Sequence, residues 1–190
     1  MFSFIPHYRT AWSDYFPGTN PTTTLVPKEY TSTESVSDTY VYVSNCLFNK
    51  CSSSSNGGAF YCSSSVTYLL VESSSFFSCK TSSENGAIYF QNTNSGECVL
   101  HKVCGNDCCS TYTSSSSYGQ FNYVVVQNTV SNKNYVNYSS ISRCVNHNTN
   151  SYYTLNHYLG KFCFPSVNVS MNKCYHSSGI NCPAIADSNY

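Results

Sequence analysis

The chain has 190 residues, enough for one sizeable domain, and its nine Lys and Arg balance its nine Asp and Glu. Charged residues are only 9% of it, too few for solvated helical surfaces, and no basic stripe exists to neutralise nucleic-acid phosphates. Ser, Thr, Tyr and Val dominate instead, and these favour strands and turns, so the composition predicts an all-β fold.

In chain order, residues 1–38 show no repeat. They hold Pro6, Pro17, Pro21 and Pro27 and four of the nine acidic residues. We expect a non-repeat N-terminal cap or lead-in here, because the first strand edge of a stacked β fold needs protection. The opening "MFSFIPHYRTAWSDYFPG" has no basic start followed by an apolar stretch, so no signal peptide is predicted. The longest apolar runs, "VTYLLV" and "YVVV", are strand-sized, so no membrane span is predicted either.

From residue 39 the chain repeats. "FNKCSSSSNGGAFYC" (Phe48–Cys62) returns as "FFSCKTSSENGAIYF" (Phe76–Phe90). Phe48 maps to Phe76, Cys51 to Cys79, Gly58-Ala59 to Gly86-Ala87, and Phe60-Tyr61 to Ile88-Tyr89, all at an offset of 28 residues. The first half of the unit is an apolar residue, two polar residues and Cys. It reads "FNKC", "FFSC", "HKVC" (His101–Cys104), "ISRC" (Ile141–Cys144) and "MNKC" (Met171–Cys174), with Cys spacings of 28, 25, 40 and 30. The second half, Gly-Ala before aromatic or aliphatic residues, is clear at Gly57-Gly58-Ala59 and Gly86-Ala87-Ile88. It decays to "YGQFNYVVV" (Tyr118–Val126). Polar runs such as "TSSEN" and "TSSSS" separate the halves and read as turns.

A unit of this length, without 3.6-residue periodicity, cannot bury a face alone, but stacked copies can. We therefore expect a parallel β-helix of about five coils over residues 39–182, followed by a tail at 183–190. Phe48 over Phe76 should form an aromatic row. Cys51, Cys79, Cys104 or Cys108, Cys144 and Cys174 should form a column at one corner. Gly57, Gly58 and Gly86 should supply a turn needing positive φ and let coils approach closely.

The 12 cysteines and the sequons at Asn137 and Asn168, candidate glycosylation acceptors, suit secretion, whereas the missing leader suits thiols in a reducing compartment. Stacked neighbours point their Cβ atoms the same way, a poor angle for a disulfide. Cys51, Cys79 and Cys174 are thus expected as small buried side chains, and any disulfide should join off-column cysteines such as Cys46, Cys62 or Cys98.

His101, Cys104, Cys108 and Cys109 resemble a zinc donor set only loosely, because paired C-x-x-C knuckles are absent. Glu72, Glu84, Glu97 and Asp107 stand alone in sequence, unlike the clustered carboxylates of acid–base catalysis. No catalytic residue, metal or cofactor is expected. The 18 tyrosines, with many Ser and Asn, instead suit an adaptable contact surface for a protein or a glycan. They are densest in "NYVNYSS" and "NSYYTLNHY", between residues 134 and 158.

The motifs "GGAF" (Gly57–Phe60) and "NGAIY" (Asn85–Tyr89) resemble the Gly-Gly-Ala-Ile repeats of the polymorphic outer membrane proteins of chlamydiae. "FNKC" and "FFSC" resemble that family's Phe-x-x-Asn, with Cys in place of Asn, a variant similar to predicted surface proteins of trichomonad-type protists. The likeness covers residues 39–110 well and 111–180 poorly. It implies a right-handed parallel β-helix of the pectate-lyase kind and a non-catalytic adhesive role at the cell surface. The alternative is a carbohydrate-binding or degenerate carbohydrate-processing β-helix.

Overall fold

The computed structural model describes residues 11–112, 118–145 and 152–183. After a short helix, α1 (Ala11–Tyr15), the chain winds through six coils. The first carries β1 (Thr23–Leu25), β2 (Glu29–Tyr30) and β3 (Glu34–Val36). The second carries β4 (Tyr40–Ser44), β5 (Leu47–Asn49), β6 (Ser52–Ser53) and β7 (Phe60–Cys62). The third carries β8 (Tyr68–Glu72), β9 (Ser75–Phe77), β10 (Lys80–Thr81) and β11 (Ile88–Gln91). The fourth carries β12 (Glu97–His101), β13 (Cys104–Asn106), β14 (Cys109–Ser110) and β15 (Asn122–Val125). The fifth carries β16 (Lys133–Asn137), β17 (Ser140–Ser142) and β18 (Tyr153–Tyr158). The sixth carries β19 (Lys161–Cys163), β20 (Asn168–Ser170) and β21 (Ser177–Asn181).

All strand pairings are parallel, and each joins equivalent strands of successive coils. The result is a parallel β-helix. Sheet A is β1-β4-β8-β12-β16-β19, sheet B is β2-β5-β9-β13-β17-β20, and sheet C is β3-β7-β11-β15-β18-β21. A small sheet D, β6-β10-β14, closes one corner.

Side chains alternate along each strand, so the inward ones stack into columns. Val41 and Val43 lie beside Leu69 and Val71, then Cys98 and Leu100, all fully buried. Tyr30, Phe48 and Phe76 form the aromatic row: ring centroids are 5.0 Å apart for the first pair and 4.7 Å for the second, whose planes differ by 3°. In the next coil Gly105 takes the row's slot. A Cβ there would lie 2.4 Å from the Phe121 ring, which comes in from the sheet C side and meets Phe76 edge-on at 5.7 Å. The row is thus continued by a ring from another strand.

The Cys column is Cys51, Cys79, Cys108 and Cys144. Lys80 pairs with Ser52 and Cys109, which places Cys79 between Cys51 and Cys108. Asn106 pairs with Ser142, which places Cys144 next. Each cysteine follows a non-glycine residue with left-handed backbone: Lys50, Ser78, Asp107 and Arg143, with φ between 51 and 55°. That turn aims the thiol back at the core. Cys51, Cys79 and Cys108 donate to the carbonyls of Tyr30, Phe48 and Phe76, the aromatic-row residues one coil earlier, at 3.3–3.4 Å. In the last coil left-handed Met171 precedes Asn172, whose Nδ2 donates to the Ile141 carbonyl at 3.1 Å. The column therefore places a small donor at the preceding coil's carbonyl, a thiol in three coils and an amide in the last, while Cys144 meets the Ser142 carbonyl of its own coil at 3.6 Å. All twelve cysteines are free, and burial holds the Cys144 thiol up to about 12.

Several sequence expectations are corrected. There are six coils rather than about five, because residues 23–36 form a first coil instead of a lead-in. Helix α1 does not cap an end: Trp12 and Phe16 lie against Leu70 and Val99 on the outer side of sheet A. Cys104 falls on β13 beside Ser75 and Ser140, outside the column, and "GNDC" (Gly105–Cys108) is the true third copy of the motif. Cys174 is likewise displaced by Asn172, and its sulfur meets Thr154 Oγ1 at 3.4 Å. Of Gly57, Gly58 and Gly86, only Gly57 has positive φ (73°). The run Thr113–Ser117 and most of the tail lie outside the described residues.

Gly86 serves close approach alone. Its added Cβ would fall 1.7 Å from the Gln120 carbonyl oxygen in the next coil. Gly86→Val should therefore cost about 3 kcal/mol or more, whereas Ser54→Val, at an exposed turn, should cost less than about 0.5 kcal/mol. Chemical denaturation checks this; equal midpoints for the two variants would contradict the packing.

Candidate functional site

Strands β7, β11 and β15 turn Phe60 and Cys62, Ile88 and Phe90, and Val124 inward, so Tyr61, Tyr89 and Tyr123 project outward in register. Their rings stack in one row. The centroids are 5.3 Å apart with planes 3° off parallel for the first pair, and 5.6 Å apart and 10° off for the second. Tyr118 and Tyr158 flank Tyr123 at 6.1 and 6.2 Å, and Tyr152 joins Tyr118 at 6.0 Å. His176 then stacks on Tyr152 at 4.6 Å. An aromatic band thus runs along sheet C. Burial and neighbouring tyrosines push the Tyr123 hydroxyl up to about 12, and burial raises Tyr89, so both stay neutral donors.

Two hollows meet at Tyr61. The larger, about 630 Å³, is lined by Thr33, Ser35, Ser53–Ser55, Asn56, Tyr61 and Ser83. The smaller, about 210 Å³, lies between Tyr61, Tyr89 and the turn Gln91–Asn94. The walls are held by internal bonds. Thr33 Oγ1 donates to the Gly58 carbonyl (2.7 Å), Ser83 Oγ to Asn56 Oδ1 (2.7 Å), and Asn92 Nδ2 to the Ser64 and Val66 carbonyls (both 3.0 Å).

The tyrosines between residues 134 and 158 do not form this site by themselves. Tyr135 packs beneath α1, and Tyr138 sits exposed at the corner between sheets A and B. The signal for the row was the 28-residue offset that carries Tyr61 onto Tyr89, rather than local tyrosine density.

The two sequons differ. Asn168 is exposed. Asn137 is buried, and in the orientation that satisfies its amide the carbonyl accepts from the Tyr15 hydroxyl (2.9 Å) while the nitrogen donates to the Cys163 carbonyl (3.3 Å). His101 Nδ1 meets the same hydroxyl at 2.9 Å, which anchors α1 to sheet A.

The acidic side chains do not converge. Glu72 accepts from the Tyr42 hydroxyl, Glu97 pairs with Lys133 at 2.9 Å, and Asp107 accepts from Ser78 at 2.8 Å. His101, Cys104, Cys108 and Cys109 are dispersed over different strands and faces. Among the described residues no three His, Cys, Asp or Glu side chains are grouped to hold a metal ion.

One titratable group lies deep in the stack. Fully buried His157 receives Asn122 Nδ2 on Nε2 (2.8 Å) and therefore donates from Nδ1 to Asn134 Oδ1 (2.6 Å). Asn134 in turn donates to the Tyr158 and Leu159 carbonyls, at 3.1 and 3.0 Å. Among the described residues no carboxylate faces the ring, and burial lowers its pKa to about 3.

Comparison with known proteins finds no matching family model, no similar curated protein and no similar solved structure. Function has to be read from the surface itself.

The His157 network makes stability depend on pH. The folded value near 3 lies below the unfolded value of about 6.5, so the contribution is complete above about 6.5 and is lost as pH falls towards 3. Melting temperature should drop across that window in the native chain and drop less in His157→Gln. Parallel pH profiles for the two would contradict the buried neutral imidazole.

Proposed function

We propose that the chain is a non-catalytic structural and adhesive surface module of a β-helix repeat protein, and that it adheres through the outer face of sheet C. The observation that carries this reading is the in-register row Tyr61, Tyr89 and Tyr123, set between hollows lined by hydroxyls and amides. Tyrosine supplies large contact area with only two side-chain torsions to fix, and stacking on a parallel sheet fixes them before any partner arrives. The Gly-Gly-Ala and Phe-x-x-Cys motifs support the same role, because the surface families they resemble are adhesive. The dispersed, individually engaged carboxylates favour binding over catalysis. Display at a cell surface is part of this proposal. Among the described residues no helix is long and apolar enough to cross a membrane.

Beads coated with the native chain should adhere to a cell layer. Beads coated with a Tyr61→Thr, Tyr89→Thr, Tyr123→Thr variant should adhere at least about tenfold more weakly, since hot-spot aromatics dominate such contacts. Circular dichroism confirms that the β-branched replacements keep the fold. Equal adhesion of the two, or no adhesion of the native chain, would overturn the proposal.

A further inference from the structure

We infer that the larger hollow beside Tyr61 is a subsite for an uncharged oligosaccharide. The inference rests on the adhesive reading of sheet C and names its ligand class.

Tyr61 is the first ring of its row. One face stacks on Tyr89, but the residue paired with it one coil earlier is Ser35. Serine is too small to cover the other face, which therefore borders the hollow of about 630 Å³. An open aromatic face carries negative partial charge and attracts weakly positive C–H groups. The remaining wall is Thr33, Ser53–Ser55, Asn56 and Ser83, with no charged side chain. The Tyr61, Ser35, Ser54 and Ser55 hydroxyls have no hydrogen-bond partner within the described chain, whereas Thr33, Asn56 and Ser83 are already fixed. The site thus offers one aromatic platform, four free hydroxyls that both donate and accept, and a pre-formed polar rim.

That set selects among ligand classes. An anion, including a phosphate or a sulfated glycan, needs Lys, Arg or a cluster of N–H donors. A divalent cation needs carboxylates or several convergent carbonyls. An apolar ligand needs apolar walls, and a peptide needs an open strand edge or an apolar anchor pocket. Here β7, which carries the platform, is hydrogen-bonded to β3 on one side and β11 on the other, and the open edges, β3 and β6, have no apolar anchor pocket beside them. A neutral pyranose presents C–H groups on its ring face and dense hydroxyls around its rim, each both donor and acceptor. It matches the platform and the rim together. The smaller hollow beyond Tyr61, with the exposed side chains of Gln91 and Asn94, gives a second sugar unit uncharged amide partners.

Isothermal titration of the native chain tests this with cello-, xylo-, laminari- and chito-hexaose as neutral probes and a heparin hexasaccharide as the anionic one. At least one neutral probe should bind with Kd of about 1 mM or tighter, and heparin should not. Tyr61→Val should weaken that binding at least about tenfold, and Tyr61→Phe, which keeps the platform, only a few-fold. Phe77→Val, an exposed ring on the outer face of sheet B, should leave it unchanged. Binding by heparin alone, binding by no neutral probe, or equal affinity in Tyr61→Val would overturn the inference. Beads that adhere without competition from any neutral probe would defeat the ligand class and leave adhesion standing. Saccharide binding by a chain whose beads do not adhere would defeat adhesion and leave the subsite standing.

Discussion

Everything in this molecule depends on register: at a coil spacing of about 4.8 Å, each inward side chain must lie directly against its counterpart in the next coil. A column works only if its members are mutually compatible, so a residue is selected by its vertical neighbours more than by its sequence neighbours. Tyr30, Phe48 and Phe76 meet that condition by stacking. Gly105 meets it by withdrawing, so that Phe121 can fill the same space from another strand. Gly86 meets it by having no side chain where the next coil's backbone passes.

The cysteines follow from the same constraint. After each sheet B strand but the first the chain turns through a left-handed residue and re-enters the core, beside the preceding coil. The residue there must be small, buried and able to donate. A thiol satisfies all three weakly, and Asn172 satisfies them with an amide where the stack ends. This explains why the third residue of the Phe-x-x-Cys signature varies in type: Lys50, Ser78, Asp107 and Arg143 share a left-handed backbone conformation at the corner, and none of them enters the core. It also explains why cysteine abundance here need not mean cross-linking.

The parallel β-helix was legible because two adjacent coils are nearly identical in length, which exposes the offset of 28 residues. Legibility failed where the offset or the motif residue changed. At the longer fourth coil "HKVC" mimics the motif out of phase, while the true copy "GNDC" lacks the aromatic that marks it. From the fifth coil to the sixth the offset of 28 returns and carries Cys144 onto Asn172, so the cysteine of "MNKC" falls two residues beyond the column. Residues 23–36 have neither motif, since a first coil has no preceding carbonyl for a cysteine to meet, and Tyr30 is covered instead by the Lys28 ammonium 4.5 Å from its ring. The outward row of tyrosines was half legible: Tyr61 and Tyr89 share the offset, but Tyr123 follows a longer connection, and the densest tyrosine runs lie elsewhere in the chain. The hollow at Tyr61 had no sequence signal, because it comes from Ser35 and Thr33 in a coil that the motifs do not mark.

One physical logic thus links core and surface. The stacking that packs Phe48 on Phe76 inside also stacks Tyr61 on Tyr89 outside, and the outer row ends in an open ring face because the first coil places a serine beneath it. The most direct test of in-register stacking is a double-mutant cycle on Phe48→Leu and Phe76→Leu by chemical denaturation. Stacked neighbours should show a coupling energy of about 1 kcal/mol. Additive effects of the two substitutions, with no coupling, would contradict the account.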